Sequence, residues 1–94
     1  REIDEVLLLH EDILEAAAFS VPCQSYGERV EACVILKSRR KPTELQILEF
    51  CQSKLGSFKS PDKIHFEESL PKGPSGKIQR LKLFEYVYKK TTLI

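Results

Sequence analysis

Residues 28–37 constrain this chain more than any other stretch. Val30, Ala32, Val34 and Leu36 point one way, and Glu31, Cys33, Ile35 and Lys37 the other. Strict period two is the signature of a strand. Just upstream, residues 14–21 are small and apolar, with no charge after Glu15. That run suits a strand buried on both faces, and Pro22 is expected to stop it. Residues 24–27 read as a turn. Two strands this close in sequence favour an antiparallel pair.

The flanking segments read as helices. Ile3, Val6, Leu7 and His10 fall on one helical face, which predicts a short helix over residues 3–10. Thr43 followed by Gln46 is a capping-box pair opening a second helix. Ile47, Leu48, Cys51 and Leu55 give that helix an apolar stripe, and Gly56 ends it. Ile64 and Phe66 mark a third strand over residues 63–67. A last helix over residues 80–89 places Leu81, Phe84 and Tyr88 in the core. The order helix, strand, strand, helix, strand, turn, helix predicts an α+β domain. Its architecture is a small two-layer sandwich, a sheet of about three strands with helices packed on it.

Ninety-four residues suffice for one small domain and not for two. Hydrophobic residues at 41% and charged residues at 31% are a globular mixture. Fifteen Lys and Arg against 14 Asp and Glu give no global reason to expect nucleic acid. Cys23, Cys33 and Cys51 are odd in number and widely spaced, and neither His10 nor His65 lies near one in sequence. This predicts no metal site and no disulfide framework, but reduced thiols in an intracellular compartment, cytoplasmic or organellar. His65, on a strand, reads as structural. No apolar run reaches membrane-spanning length, and a monomer is expected.

The chemistry concentrates in residues 71–77, Pro-Lys-Gly-Pro-Ser-Gly-Lys. Pro lacks a donor and fixes its own backbone, while Gly admits left-handed angles, so this is a turn. It displays Lys77 between a loop and a helix, where a cation can meet a phosphate or carboxylate. From Lys72 to Lys82 stand Lys72, Lys77, Arg80 and Lys82 with no acid among them, a stretch that draws anions. A phosphate-binding P-loop needs Gly where Pro71 stands and Ser or Thr where Ile78 stands. A solvated loop lysine is the plain reading of Lys77.

A third reading comes from resemblance. Pro71-Lys72, Gly76-Lys77-Ile78 and Arg80 resemble the last signature of the adenylate-forming enzymes: acyl-CoA synthetases, peptide synthetase adenylation domains and beetle luciferases. The likeness runs along the chain. Residues 2–10 resemble the family's Glu-Ile-Glu-x-Val-Leu-x-x-His helix. Glu15-Ala16-Ala17 with Val21-Pro22 resembles its Glu-Ala-Ala-Val-x-x-Val-Pro-Asp strand, with Cys23 in place of the Asp. Gly27-Glu28 and residues 32–37 resemble Gly-Glu-x-x-x-Ala-x-Val-x-x-Lys, and residues 58–61 the Phe-Lys-x-Pro turn. The joint match identifies residues 1–94 with the small mobile C-terminal domain of such an enzyme. The large N-terminal domain and the hinge lie outside this chain. Gly76-Lys77-Ile78-Gln79-Arg80 is most similar to acyl-CoA synthetases.

The resemblance implies a ligase of two half-reactions. A carboxylic acid and ATP, with Mg²⁺ in the full enzyme, form an acyl-adenylate and pyrophosphate; a rotated domain then admits coenzyme A, whose thiol displaces AMP. Lys77 matches the lysine of the first half-reaction, and Gly76 lets its backbone approach the N-terminal domain. Lys59 matches a position beside the phosphates of coenzyme A, although a solvated loop lysine is an equal reading. Tyr26 and Gly27 border the same face, or Tyr26 is an ordinary turn tyrosine. Arg80 either assists with phosphates or pairs with the N-terminal domain. Two alternatives stay open: a part of an adenylation domain serving a carrier protein, or a non-catalytic interaction module. The isolated chain is expected to be inactive.

Overall fold

The computed structural model describes residues 2–23 and 27–89. Helix α1 is Glu2–Leu8, strand β1 Ile13–Cys23, strand β2 Gly27–Leu36, helix α2 Glu44–Leu55 and strand β3 Ile64–Phe66. A 3₁₀ turn, Arg80–Lys82, leads into helix α3, Leu83–Lys89. The sheet order is β1-β2-β3, with β1 antiparallel and β3 parallel to β2. This is the expected α+β arrangement of helices on a three-stranded sheet.

The alternation in β2 does what its period requires. Ala32 and Val34 face one cluster with Leu7, Ile13, Ala16, Ile47, Cys51 and Ile64, under α1 and α2. Cys33 faces the other, with Ala17, Phe19, Val21, Leu70, Leu83 and Val87, under α3. β1 therefore carries small and apolar residues toward both faces, as a strand covered on both sides must. Burying each Leu or Ile here contributes about 1.5–3 kcal/mol.

Helix α2 begins as its sequence dictates. Thr43 Oγ accepts from the Gln46 N–H at 3.1 Å, and Gln46 Oε1 accepts from the Thr43 N–H at 2.9 Å. Replacing such a cap with Ala costs about 1 kcal/mol. At the other end the Gly56 N–H donates to the Gln52 carbonyl at 2.9 Å, with Gly56 at φ 82°.

Two expectations are corrected. Pro22 does not stop β1; it pairs opposite Glu28 inside the strand. The register explains why. The Ala32 N–H donates to the Lys63 carbonyl, and the Val30 carbonyl accepts from the Asp62 N–H. Val30 and Ala32 thus turn their polar groups toward β3. Their antiparallel partners Ser20 and Ala18 must then turn theirs to the open side of β1. Pro22 shares that orientation, so its missing N–H falls on a free edge, where proline is tolerated.

The second correction concerns the last helix. Leu81 is 98% exposed, while Leu83 and Val87 are buried. The segment opens as a 3₁₀ turn, so the α-helical phase is set from Leu83. Leu83 and Val87, four apart, then face the sheet. Phe84 and Tyr88 pack at the margin of that cluster.

Candidate functional site

Lys77 lies on a turn whose backbone is fixed at several points. Lys72 and Ile78 form an isolated antiparallel bridge. The Gly73 N–H donates to the Lys77 carbonyl at 2.9 Å, the Gly76 N–H to the Gly73 carbonyl at 2.9 Å, and the Gln79 N–H to the Pro71 carbonyl at 2.8 Å. Gly76 sits at φ 84°, where any other residue is strained. Ile78 is partly buried against the α3 face. The lysine backbone is held while its side chain is exposed, the combination needed to present one charge at a set place.

The two feet of this turn reach β1. Lys72 Nζ lies 3.0 Å from Glu15 Oε1. Arg80 Nη2 donates to Asp4 Oδ2 at 2.6 Å, and Arg80 Nη1 donates to the Ala18 carbonyl at 2.6 Å. The Arg80 guanidinium thus has partners on α1 and β1 of this chain.

Lys59 occupies a different turn, between α2 and β3. Ser60 Oγ donates to the Gly56 carbonyl at 2.8 Å, and Ser60 and Pro61 are buried. Lys59 itself is exposed, 3.9 Å from an equally exposed Glu2 carboxylate, a pair worth little in water. With Phe58, Glu28, Arg29 and Val30 it lines an open groove of about 390 Å³. Gly27, at φ 82°, begins β2 next to Glu28. The structure therefore brings Lys59 to the strand that Gly27 opens. Tyr26 lies outside the described residues.

Sequence reasoning missed a buried carboxylate. Glu31 has no exposed surface. Its Oε1 accepts from His65 Nε2 at 2.6 Å and from Tyr88 Oη at 2.5 Å, and its Oε2 from Arg29 Nε at 3.0 Å. Burial pushes its carboxyl pKa up, but hydrogen bonds from His65 and Tyr88 and the charges of His65 and Arg29 outweigh burial, and the net pKa is lowered. Burial, followed by the bond to Glu31 and its charge, raises the Tyr88 pKa. The signal was present in the alternation, which put a glutamate in line with Cys33 and Ile35. His65, read as structural from its strand, joins β3 to β2 through Glu31 and packs edge-on to Tyr88. Cys33 and Cys51 are buried, and burial raises the Cys51 thiol pKa. Among the described residues, no three His, Cys, Asp or Glu side chains gather as a metal site would require. No helix among them is long and apolar enough to cross a membrane.

The fold and the turn define a class, and comparison with known proteins agrees. The family model of the AMP-binding enzyme C-terminal domain matches residues 2–77, ending on the lysine of the turn. The chain belongs to that family. It is 43% identical over 86 residues to a sulfoacetate–CoA ligase of Cupriavidus necator, covering 92% of this chain and 17% of the relative. It is 44% identical over 79 residues to an oxalate–CoA ligase of Saccharomyces cerevisiae, covering 84% of this chain and 14% of the relative. The solved structure of a Mycobacterium tuberculosis fatty acyl CoA synthetase superposes with a TM-score of 0.84 at 33% identity, over 96% of this chain and 18% of that one. The chain thus spans less than a fifth of the length of these relatives.

Proposed function

We propose that this chain is the mobile C-terminal domain of an ATP-dependent acyl-CoA synthetase. In the adenylation half-reaction Lys77 stabilises charge growing on the α-phosphate as a carboxylate attacks ATP. The domain then rotates, withdraws Lys77, and turns the face of Lys59 and Gly27, with Tyr26, toward coenzyme A. One observation carries this reading: Lys77 is exposed on a turn whose backbone is hydrogen-bonded on both sides of it. A charge placed in advance is worth most where the transition state gains charge in a site closed to water. The sulfoacetate and oxalate relatives are both named as CoA ligases, which supports the thiol acceptor. The N-terminal domain, the carboxylic acid, and ATP with its Mg²⁺ are the remaining partners. No step is assigned to a metal held by this chain. The buried cysteines Cys33 and Cys51 suit an intracellular compartment.

The test is Lys77→Ala in the full-length enzyme. Pyrophosphate exchange should fall about 10²–10³-fold, the usual loss on removing one donor from a site of developing charge. Thermal unfolding should be unchanged, since an exposed turn lysine adds little to the core. Pyrophosphate exchange near wild type would remove Lys77 from the adenylation step.

A further inference from the structure

Asp4 and Arg80 lie 76 residues apart in sequence and close a ring around one peptide unit of β1. Asp4 Oδ1 accepts from the Ala18 N–H at 2.7 Å. Arg80 Nη1 donates to the Ala18 carbonyl at 2.6 Å and lies 3.3 Å from Asp4 Oδ1, while Arg80 Nη2 donates to Asp4 Oδ2 at 2.6 Å. Ala18 turns both polar groups to the open edge of the sheet, as the register requires. It is only 7% exposed, so neither group has free access to water. The carboxylate and the guanidinium therefore do there what a neighbouring strand would do: one accepts from the N–H, and the other donates to the C=O. The pair is charge-assisted and doubly bonded, so it fixes direction as well as distance.

That ring is also the downstream foot of the Lys77 turn. Arg80 follows Lys77 by three residues, and its own N–H donates to the Ile78 carbonyl. Lys72, on the bridge to Ile78, forms the upstream foot against Glu15. Both feet stand on the same strand. Between them the turn has little freedom, because Gly73, Gly76 and Gln79 are hydrogen-bonded within it.

We propose that Asp4 and Arg80 are positioning residues for Lys77: their pair locks the turn to the sheet edge and sets where the lysine stands when adenylation occurs. Neither residue touches substrate in this account. The proposal rests on the reading of Lys77 as the adenylation lysine. It replaces the expectation that Arg80 serves phosphates directly. A displacement of one reacting group by about 1 Å can cost on the order of 10²-fold in rate, so a clamp of this kind is worth a measurable part of the lysine's own effect.

Asp4→Asn in the full-length enzyme is the discriminating variant, because the amide oxygen can still accept from the Ala18 N–H while the charge that orients Arg80 is gone. Pyrophosphate exchange should fall about tenfold or more, and thiolysis of a supplied acyl-adenylate should stay within about twofold. Deuterium uptake at the amides of Gly73, Gly76 and Gln79 should accelerate. Arg80→Ala should show the same split, and Arg80→Lys should recover part of it by restoring one donor. Pyrophosphate exchange within about twofold of wild type in both Asp4→Asn and Arg80→Ala would overturn the proposal. So would an equal loss in both half-reactions, which marks a general folding role, or a loss with no change in uptake at the turn. Lys77→Ala, run beside them, separates the two levels. If it is impaired and Asp4→Asn is not, only the clamp fails; if it retains pyrophosphate exchange, the lysine assignment fails and the clamp with it.

Discussion

The two lysine-bearing turns of this domain are built on opposite principles. The Lys77 turn is bonded across its base, capped by a left-handed Gly76, and tied at both feet to β1 through Glu15, Asp4 and Ala18. The Lys59 turn is anchored behind the lysine by Ser60, and among the described residues the lysine itself has a long, exposed pairing with Glu2. A group that must meet charge as it forms gains from being fixed beforehand. A group that holds an already charged ligand can adjust as the ligand arrives. The difference in anchoring therefore matches the proposed division of labour between adenylation and thiol transfer.

Glu31 lies between the two turns and offers the largest perturbation of the comparison. It binds Arg29, which borders the Lys59 groove, and Tyr88 of α3, the helix that follows the Lys77 turn. Glu31→Ala should lower stability by about 1–3 kcal/mol, because it strips partners from a buried polar cluster. A fall of several degrees in Tm per kcal/mol is expected for a domain of this size, read from a cooperative melt of the 94-residue chain. Both half-reactions should suffer in the full enzyme, in contrast to either lysine variant. A melt unchanged by the substitution would show that the cluster does not join the two regions.

The same carboxylate predicts the direction of an acid response. Its folded pKa is below the ordinary value of 4.5, so the unfolded chain takes up the proton first on acidification. The stability it contributes is complete above that ordinary value and drains away as pH falls through the lower folded value. Glu31→Gln should remove this part of the decline, leaving a flatter curve of Tm against pH in the acid range. A curve as steep as wild type would place the acid-sensitive group elsewhere.

A smaller effect should separate the turns from the other side. Lys59→Ala should raise the KM for coenzyme A about tenfold, the scale of one hydrogen bond to a charged group, and leave pyrophosphate exchange nearly intact. Equal losses in both halves would make Lys59 a folding residue.

The uneven legibility of the sequence follows from the range of the forces involved. The α2 cap was visible because Thr43 and Gln46 are three residues apart and satisfy each other locally. The Lys77 turn was visible because Pro fixes its own backbone and Gly admits left-handed angles. The clamp on that turn was not, because Asp4 and Arg80 lie 76 residues apart and meet only in the folded domain. Glu31 lies 34 residues from His65 and 57 from Tyr88; alternation gave its face but not its partners. Leu81 and Leu83 are equally apolar, and only the 3₁₀ turn before α3 decides which of them faces the sheet. Pro22 was read by its local rule, but the rule yields at a free edge, and edge position is a property of the whole sheet.

The central claim is that the fixed turn serves adenylation and the looser turn serves thiol transfer. It is tested most directly by measuring pyrophosphate exchange and thiolysis of a pre-made acyl-adenylate in parallel, on full-length Lys77→Ala and Lys59→Ala enzymes. A crossed result is expected. Lys77→Ala loses about 10²–10³-fold in pyrophosphate exchange and keeps thiolysis, while Lys59→Ala keeps pyrophosphate exchange and is impaired with coenzyme A. Losses that fall on the same half-reaction in both variants, or equally on both halves, would contradict it.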